Sequence, residues 1–265
     1  MYHSIIIDTS SSPSFNMIKS INTYDDWFLI PESRPTISNP PLQSSYIDVP
    51  GASGSIDASE WLTGFPLYGD REGDLVFYVE NDHGSWINRR NNINAAIHGR
   101  KAKILLEDEK DYFYKGRLSV NDWSSEKNWS KLTIHYRFEP FKYSMSSSNR
   151  WKWDPFNFEI GKTHDGLYGN KASGTHYFSG GDLPTYPSYG YITLKTGPTP
   201  SAPVTTVTIR FINYELGINT TVVVNLRRRT LFPNLLFSNL SGTNLVRVDI
   251  TGNGLVDFDV TFRSL

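Results

Sequence analysis

Leu132-Thr133-Ile134-His135-Tyr136-Arg137-Phe138-Glu139 sets an apolar side chain at every second position and a polar one between. Successive strand residues point to opposite faces of a sheet, so this stretch predicts a strand with one buried and one wet face. Upstream, residues 103–107 and 112–120 flank the polar turn Asp108-Glu109-Lys110-Asp111, which reads as a hairpin, and Leu75-Val76-Phe77-Tyr78-Val79 adds a further strand. The carboxylates of that turn, Asp108, Glu109 and Asp111, are expected to be solvated rather than catalytic. One segment breaks the rhythm. Trp86, Ile93 and Ile97 are spaced by seven and four residues, which stacks them along one stripe of a helix over 86–98. Gly99 then stands at the C′ position, where a left-handed cap is expected, with His98, Arg100 and Lys101 placed to offset the negative end of the helix dipole. The first half is therefore a β domain carrying one amphipathic helix.

The polar run Ser144-Met145-Ser146-Ser147-Ser148-Asn149 joins no core and predicts a linker, dividing the chain into domains 1–145 and 146–265. Beyond it, β-like runs at 191–195, 204–213, 220–226, 245–250 and 255–262 predict a mainly β second domain, a β-sandwich. Its aromatic residues Trp151, Trp153, Tyr168, Tyr177, Tyr186 and Tyr189 include loop positions, and exposed rings can stack on sugar faces or on a partner surface. The basic run Arg227-Arg228-Arg229 reads as a solvated strand end that discourages strand pairing, or as a subunit contact.

Of 265 residues, 38% are hydrophobic and 20% charged, enough apolar material for a packed core. A formal net charge of -1 supplies no global field toward nucleic acid or an anionic membrane, so neither nucleic-acid binding nor membrane insertion is expected. Without cysteine the chain has no disulfide, no thiolate metal ligand and no cysteine nucleophile. Its first residues carry neither a basic n-region nor a long apolar stretch, so no export leader is expected. The six histidines His3, His83, His98, His135, His164 and His176 show none of the spacings that place two metal ligands on one element. No nucleophile elbow, P-loop or dinucleotide fingerprint occurs. No catalytic residue, metal or cofactor is expected, and a glycosidase carboxylate pair is the enzyme reading that spacing alone leaves open.

An ordered series of short segments runs through the first 145 residues. It comprises Asp25-Asp26-Trp27-Phe28-Leu29-Ile30-Pro31 with Ser33-Arg34-Pro35, Ile47-Asp48-Val49-Pro50-Gly51, and Gly54-Ser55-Ile56-Asp57 with Leu62-Thr63-Gly64. Tyr68-Gly69-Asp70-Arg71-Glu72-Gly73, Ile97-His98-Gly99-Arg100-Lys101 and Leu106-Glu107-Asp108 follow, then Tyr114-Lys115-Gly116-Arg117 and Phe138-Glu139-Pro140-Phe141-Lys142-Tyr143. Taken in order, they resemble the N-terminal domain of the distal tail proteins of long, non-contractile-tailed phages of Gram-positive bacteria. The resemblance singles out Trp27, Pro31, Arg34, Pro35, Pro50, Gly51, Gly64, Arg71, His98, Gly99, Arg100, Lys101, Gly116 and Arg117 as structural motif positions. It implies a non-enzymatic subunit of a homohexameric ring at the virion tail tip. The ring would join the tail tube protein and the tape-measure end to tail-associated or baseplate proteins. It also implies an outward-facing C-terminal sandwich, often galectin-like. The second half lacks the histidine, arginine and tryptophan-glutamate pattern of true galectins, so sugar binding is not carried over. A reading from another class stays open beside it, a carbohydrate-binding accessory that adheres to host cell-wall polysaccharide.

Overall fold

Alternation along 132–139 becomes the centre of a large antiparallel sheet. In the computed structural model, residues 3–11, 15–63, 66–80, 86–125, 129–145, 156–157, 162–163, 171–178, 188–195, 206–214, 217–226, 228–235, 246–260 and 263–265 are described. The chain divides into two compact units, Met1–Met145 with Leu265, and Ser146–Ser264. The protein is mainly β, with α1 the one α-helix among the described residues.

The first unit runs through β1 (Ile5–Asp8), β2 (Ile21–Asn22), β3 (Leu29–Pro31), β4 (Leu42–Gln43), β5 (Tyr46–Asp48), β6 (Ser55–Asp57), β7 (Leu67–Tyr68) and β8 (Arg71–Glu80). Then come α1 (Trp86–Ile97), β9 (Lys101–Leu106), β10 (Tyr112–Ser125), β11 (Trp129–Phe138) and β12 (Lys142–Ser144). The main sheet has the order β2-β1-β9-β10-β11-β8-β3, with β12 paired to β10. In β11 the residues Leu132, Ile134, Tyr136 and Phe138 are buried while their neighbours face out. They pack with Phe77 and Val79 of β8, Ile104 of β9 and Leu118 of β10 into one cluster. Burying each such side chain contributes roughly 1.5–3 kcal/mol. Helix α1 closes that cluster with Ile93 and Ile97 and stacks Trp86 on Trp123 at 6.4 Å. It ends at Ile97, one residue before the expected end.

Strands β4 to β7 leave the sheet altogether. β4 pairs with β7 and β5 with β6, and Ala58 N donates to Ser45 O at 2.8 Å between the two ladders, so residues 41–68 form one arm. Gly51 and Gly54, at φ 83° and 89°, turn the chain at its tip. Every residue from 41 to 57 is exposed.

In the second unit, β13 (Phe156–Asn157) and β14 (Lys162–Thr163) form a small ladder. They precede β15 (Gly174–Phe178), β16 (Ser188–Lys195), β17 (Thr206–Asn213), β18 (Ile218–Asn225), β19 (Arg229–Leu235), β20 (Val246–Thr251) and β21 (Leu255–Val260). These make a four-stranded sheet, β15-β20-β17-β18, and a three-stranded sheet, β19-β16-β21. One apolar cluster joins Val207, Ile209, Phe211, Val248 and Ile250 of the first to Ile192, Leu194, Val256 and Phe258 of the second. Two sheets sharing one core are a sandwich. Among the described residues no helix is long and apolar enough to cross a membrane, and no metal-holding group of side chains occurs.

Candidate functional site

Half of the motif residues fall at two places in the first unit, Arg71 at the root of the arm and His98, Gly99, Arg100, Lys101, Gly116 and Arg117 around the end of α1. At the root, Arg71 is buried at the start of β8. Its Nε donates to Pro140 O at 2.7 Å and its Nη1 to Ser38 O at 2.8 Å, while its guanidinium lies 5.5 Å from the Tyr114 ring centre. Burial pushes the Arg71 pKa down, against the field of Tyr114, Glu109 and Tyr136. Tyr114 is held protonated, chiefly by burial and then by Glu109, whose Oε2 accepts its hydroxyl at 3.0 Å. Lys142 pairs with the other Glu109 oxygen at 2.6 Å. Ser38 adds a second tie, because its N–H donates to the Tyr136 hydroxyl at 2.9 Å and its Oγ to Glu72 O at 2.9 Å. The residues that launch the arm are thus fixed to β8, β11 and the 139–141 turn, and Tyr68 at the base of the arm packs edge-on against Phe141 of that turn, ring centres 6.2 Å apart.

At the end of α1, Gly99 takes φ 69°, the left-handed conformation expected of a C′ residue. Its N–H donates to Leu118 O at 2.8 Å and its carbonyl accepts Arg117 Nη1 at 2.6 Å. His98 ties the helix end to β10. Its Nδ1 accepts the Val120 N–H at 3.1 Å. Arg100 and Lys101 are exposed, and Lys101 opens β9 directly opposite Arg117. At Gly116 the strands approach so closely that a Cβ would press against the Arg137 carbonyl and stand 2.6 Å from Phe138 Cα. Glycine there is imposed by the close approach of β10 to β11, where Gly116 pairs with Phe138.

The remaining motif positions are dispersed. Trp27 and Pro35 are buried, Pro31 ends the edge strand β3, and Pro50 and Gly51 form the arm tip. Arg34 reaches Asp108 at 2.8 Å and His3 reaches the same carboxylate at 3.0 Å, which holds Asp108 below its ordinary pKa through the Arg34 bond foremost. Asp108 and Asp111 stand exposed in that turn, and Asp108 and Glu109 each also carry an ion pair. Gly64, Trp151, Trp153, Tyr168 and Tyr186 lie outside the described residues, as does the Tyr189 side chain. Tyr177 stands 57% exposed on β15.

Two surface features were not legible in the sequence. The arm presents Leu42, Tyr46, Ile47, Ile56, Trp61 and Leu62 to solvent, Trp61 at 67% and Leu62 at 100% exposure. A cleft of about 590 Å³ lies on the main sheet, lined by Lys101, Lys103, Lys115, Arg117 and Arg137 with Asp70 and Glu139. Exposed apolar residues read in sequence like buried ones, and the cleft exists through strand register alone.

No family model and no curated protein matches the chain. A solved structure similar to it over 100% of both chains, with a TM-score of 0.61 and 11% identity, is that of SPP1 Dit (gp 19.1). That distal tail protein is described as a paradigm of the hub adsorption apparatus in Gram-positive infecting phages.

Proposed function

We propose that the chain is a structural subunit of a phage tail tip that assembles as a hexameric ring. The ring joins the tail tube protein and tape-measure end to tail-associated or baseplate proteins. In this reading residues 1–145 build the ring, and the second unit is an outward galectin-like docking module that performs no catalysis. The observation that carries it is the arm. A two-stranded hairpin is marginal in water by itself, and this one exposes a run of large apolar side chains with no covering layer. Its root is fixed by half-buried bonds around Arg71 and Ser38. A rigidly launched, uncovered apolar hairpin is the construction of a part that packs on a neighbouring subunit. End-to-end likeness in fold to a hub protein is consistent with that use.

Negative-stain images of the purified chain, alone and with its tail partners, test the reading. Closed six-fold rings are expected, and replacing residues 44–66 by a short Gly-Ser link should abolish them while circular dichroism stays native. A chain that is monomeric at every concentration and joins no tail would refute it.

A further inference from the structure

The cleft on the main sheet has two unlike ends. Its floor is strand backbone, because Ala102 and Phe138 send their side chains into the core and Gly116 has none. Lys101 of β9 stands opposite Arg117 of β10, and Arg117 stands opposite Arg137 of β11. Like charges directly opposed across a ladder are destabilising unless something offsets them. Arg137 has Asp70 and Glu72 at 2.8 and 3.2 Å, and Lys103 has Asp8 at 2.8 Å. Lys115 is turned onto the Tyr143 ring, its Nζ 3.7 Å from the ring centre. Lys101 and Arg117 remain. Both are exposed, Arg117 gives one N–H to Gly99 O, and no carboxylate of the described residues pairs with either.

The other end of the cleft is lined by acids, Asp70 and Glu139. Asp70 spends Oδ2 on Arg137, and Glu139 spends Oε2 on the Tyr143 hydroxyl. Asp70 Oδ1 and Glu139 Oε1 therefore stand as acceptors with no donor among the described residues. From Lys101 to Asp70 the cleft crosses β9, β10 and β11 to the residue before β8, roughly 14 Å at about 4.8 Å per strand. Ser10 and Ser11 add hydroxyls to its lining. A dense polyanion would be repelled by Asp70 and Glu139, and a neutral polyol would leave Lys101 and Arg117 unmatched.

We infer that the cleft binds the phosphate ester of a polyol or sugar. Lys101 and the remaining Arg117 N–H groups hold the phosphate, and hydroxyls of the alcohol part donate to Asp70 Oδ1 and Glu139 Oε1. Ammonium and guanidinium donors bond phosphate oxygens roughly twice as strongly as neutral donors do, and the planar guanidinium fork fits two of those oxygens at once. A volume of about 590 Å³ falls in the range of small-ligand sites and admits the carbon skeleton of the ester together with its phosphate. All of these groups belong to a single copy, so the site is independent of the ring reading above.

Isothermal titration of the full chain with glycerol 3-phosphate, inorganic phosphate and glycerol decides it. The ester should bind at least about tenfold more tightly than either fragment, since it alone meets both ends of the cleft. Lys101→Gln removes an exposed charge, so it should keep a native melt yet weaken the ester at least about tenfold. Lys110→Gln, exposed in the 108–111 turn and outside the cleft, should change nothing. A chain of glycerol units joined by phosphodiesters separates two sources of the same chemistry. Tighter binding per phosphate than the monomer marks a polymer as the ligand, and weaker binding marks a free ester. Inorganic phosphate bound as tightly as the ester would overturn the acidic end of the site, and glycerol bound as tightly would overturn the basic end. No binding of the ester at millimolar concentration, or binding that Lys101→Gln leaves intact, would overturn the whole assignment.

Discussion

Gly99 holds φ at 69° with open space where a Cβ would stand, whereas Gly116 has ordinary backbone angles and no space at all. The two glycines should therefore answer substitution differently. At Gly99 the cost is conformational, about 1–2 kcal/mol for an L side chain, with asparagine the best tolerated, then alanine, then valine. At Gly116 alanine must push β10 off the Arg137 carbonyl, so Gly116→Ala should melt lower than Gly99→Val. Thermal melts of the four variants give the order, and Gly99→Ala above Gly99→Asn would contradict the cap. The Asp8–Lys103 pair adds a pH signature. Burial opposes ionisation of Asp8, but bonds from Lys103, Ser10 and Asn16 outweigh it and leave the carboxyl below its ordinary 3.8. A depressed folded pKa stabilises above the unfolded value and is lost as pH falls through the folded one. Asp8→Asn, which leaves a buried ammonium unpaired, should cost about 3 kcal/mol near neutrality. That deficit should shrink as pH drops below 3.8, measured by urea unfolding across the acid range.

At the scale of elements, what could be read in the sequence follows from where the burial signal is one-sided. β11 was legible because one face is wet and the other dry, and α1 because Ile93 and Ile97 fall on one stripe. The expected strand at 112–120 in fact runs to Ser125. Its register shifts between Val120 and Asp122, and the polar tail Asn121-Asp122-Trp123-Ser124-Ser125 carries no periodic pattern to reveal it. The arm was illegible for the opposite reason. Tyr46-Ile47-Asp48 and Ser55-Ile56-Asp57 look like strands of a core, and nothing local says that no core meets them. The basic end of the cleft was hidden because Lys101, Arg117 and Arg137 become neighbours through register, not spacing. Helix α1 offers a direct check of the burial reading. Ile93→Ala and Ile97→Ala should each cost about 2–5 kcal/mol, while Ile87→Ala, at an exposed position, should stay within about 0.5 kcal/mol. Equal losses at all three would mean that the helix packs by another face.

For the whole molecule, the decisive fact is that, among the described residues, each unit has an apolar cluster of its own. Every buried member of the clusters around Ile134 and Phe113 belongs to residues 1–145, and every one around Ile209 belongs to the second unit. Units with cores of their own are expected to unfold independently and can divide labour between them. The arm, the basic cleft and the fixed root around Arg71 all lie in the first. A chain ending at Met145 should therefore still associate, or enter rings with the full chain, while residues 146–265 alone should remain monomeric. Mass photometry of the two pieces reads this directly, with circular dichroism to show that each is folded. A folded 1–145 piece that stays monomeric and cannot enter rings would place the assembly surface in the sandwich. The arm would then need some other partner, because Trp61 and Leu62 would still stand uncovered in solution. Rings of the full chain that persist when Ile209→Asp collapses the second core would argue the reverse. They would assign assembly to the first unit without any truncation.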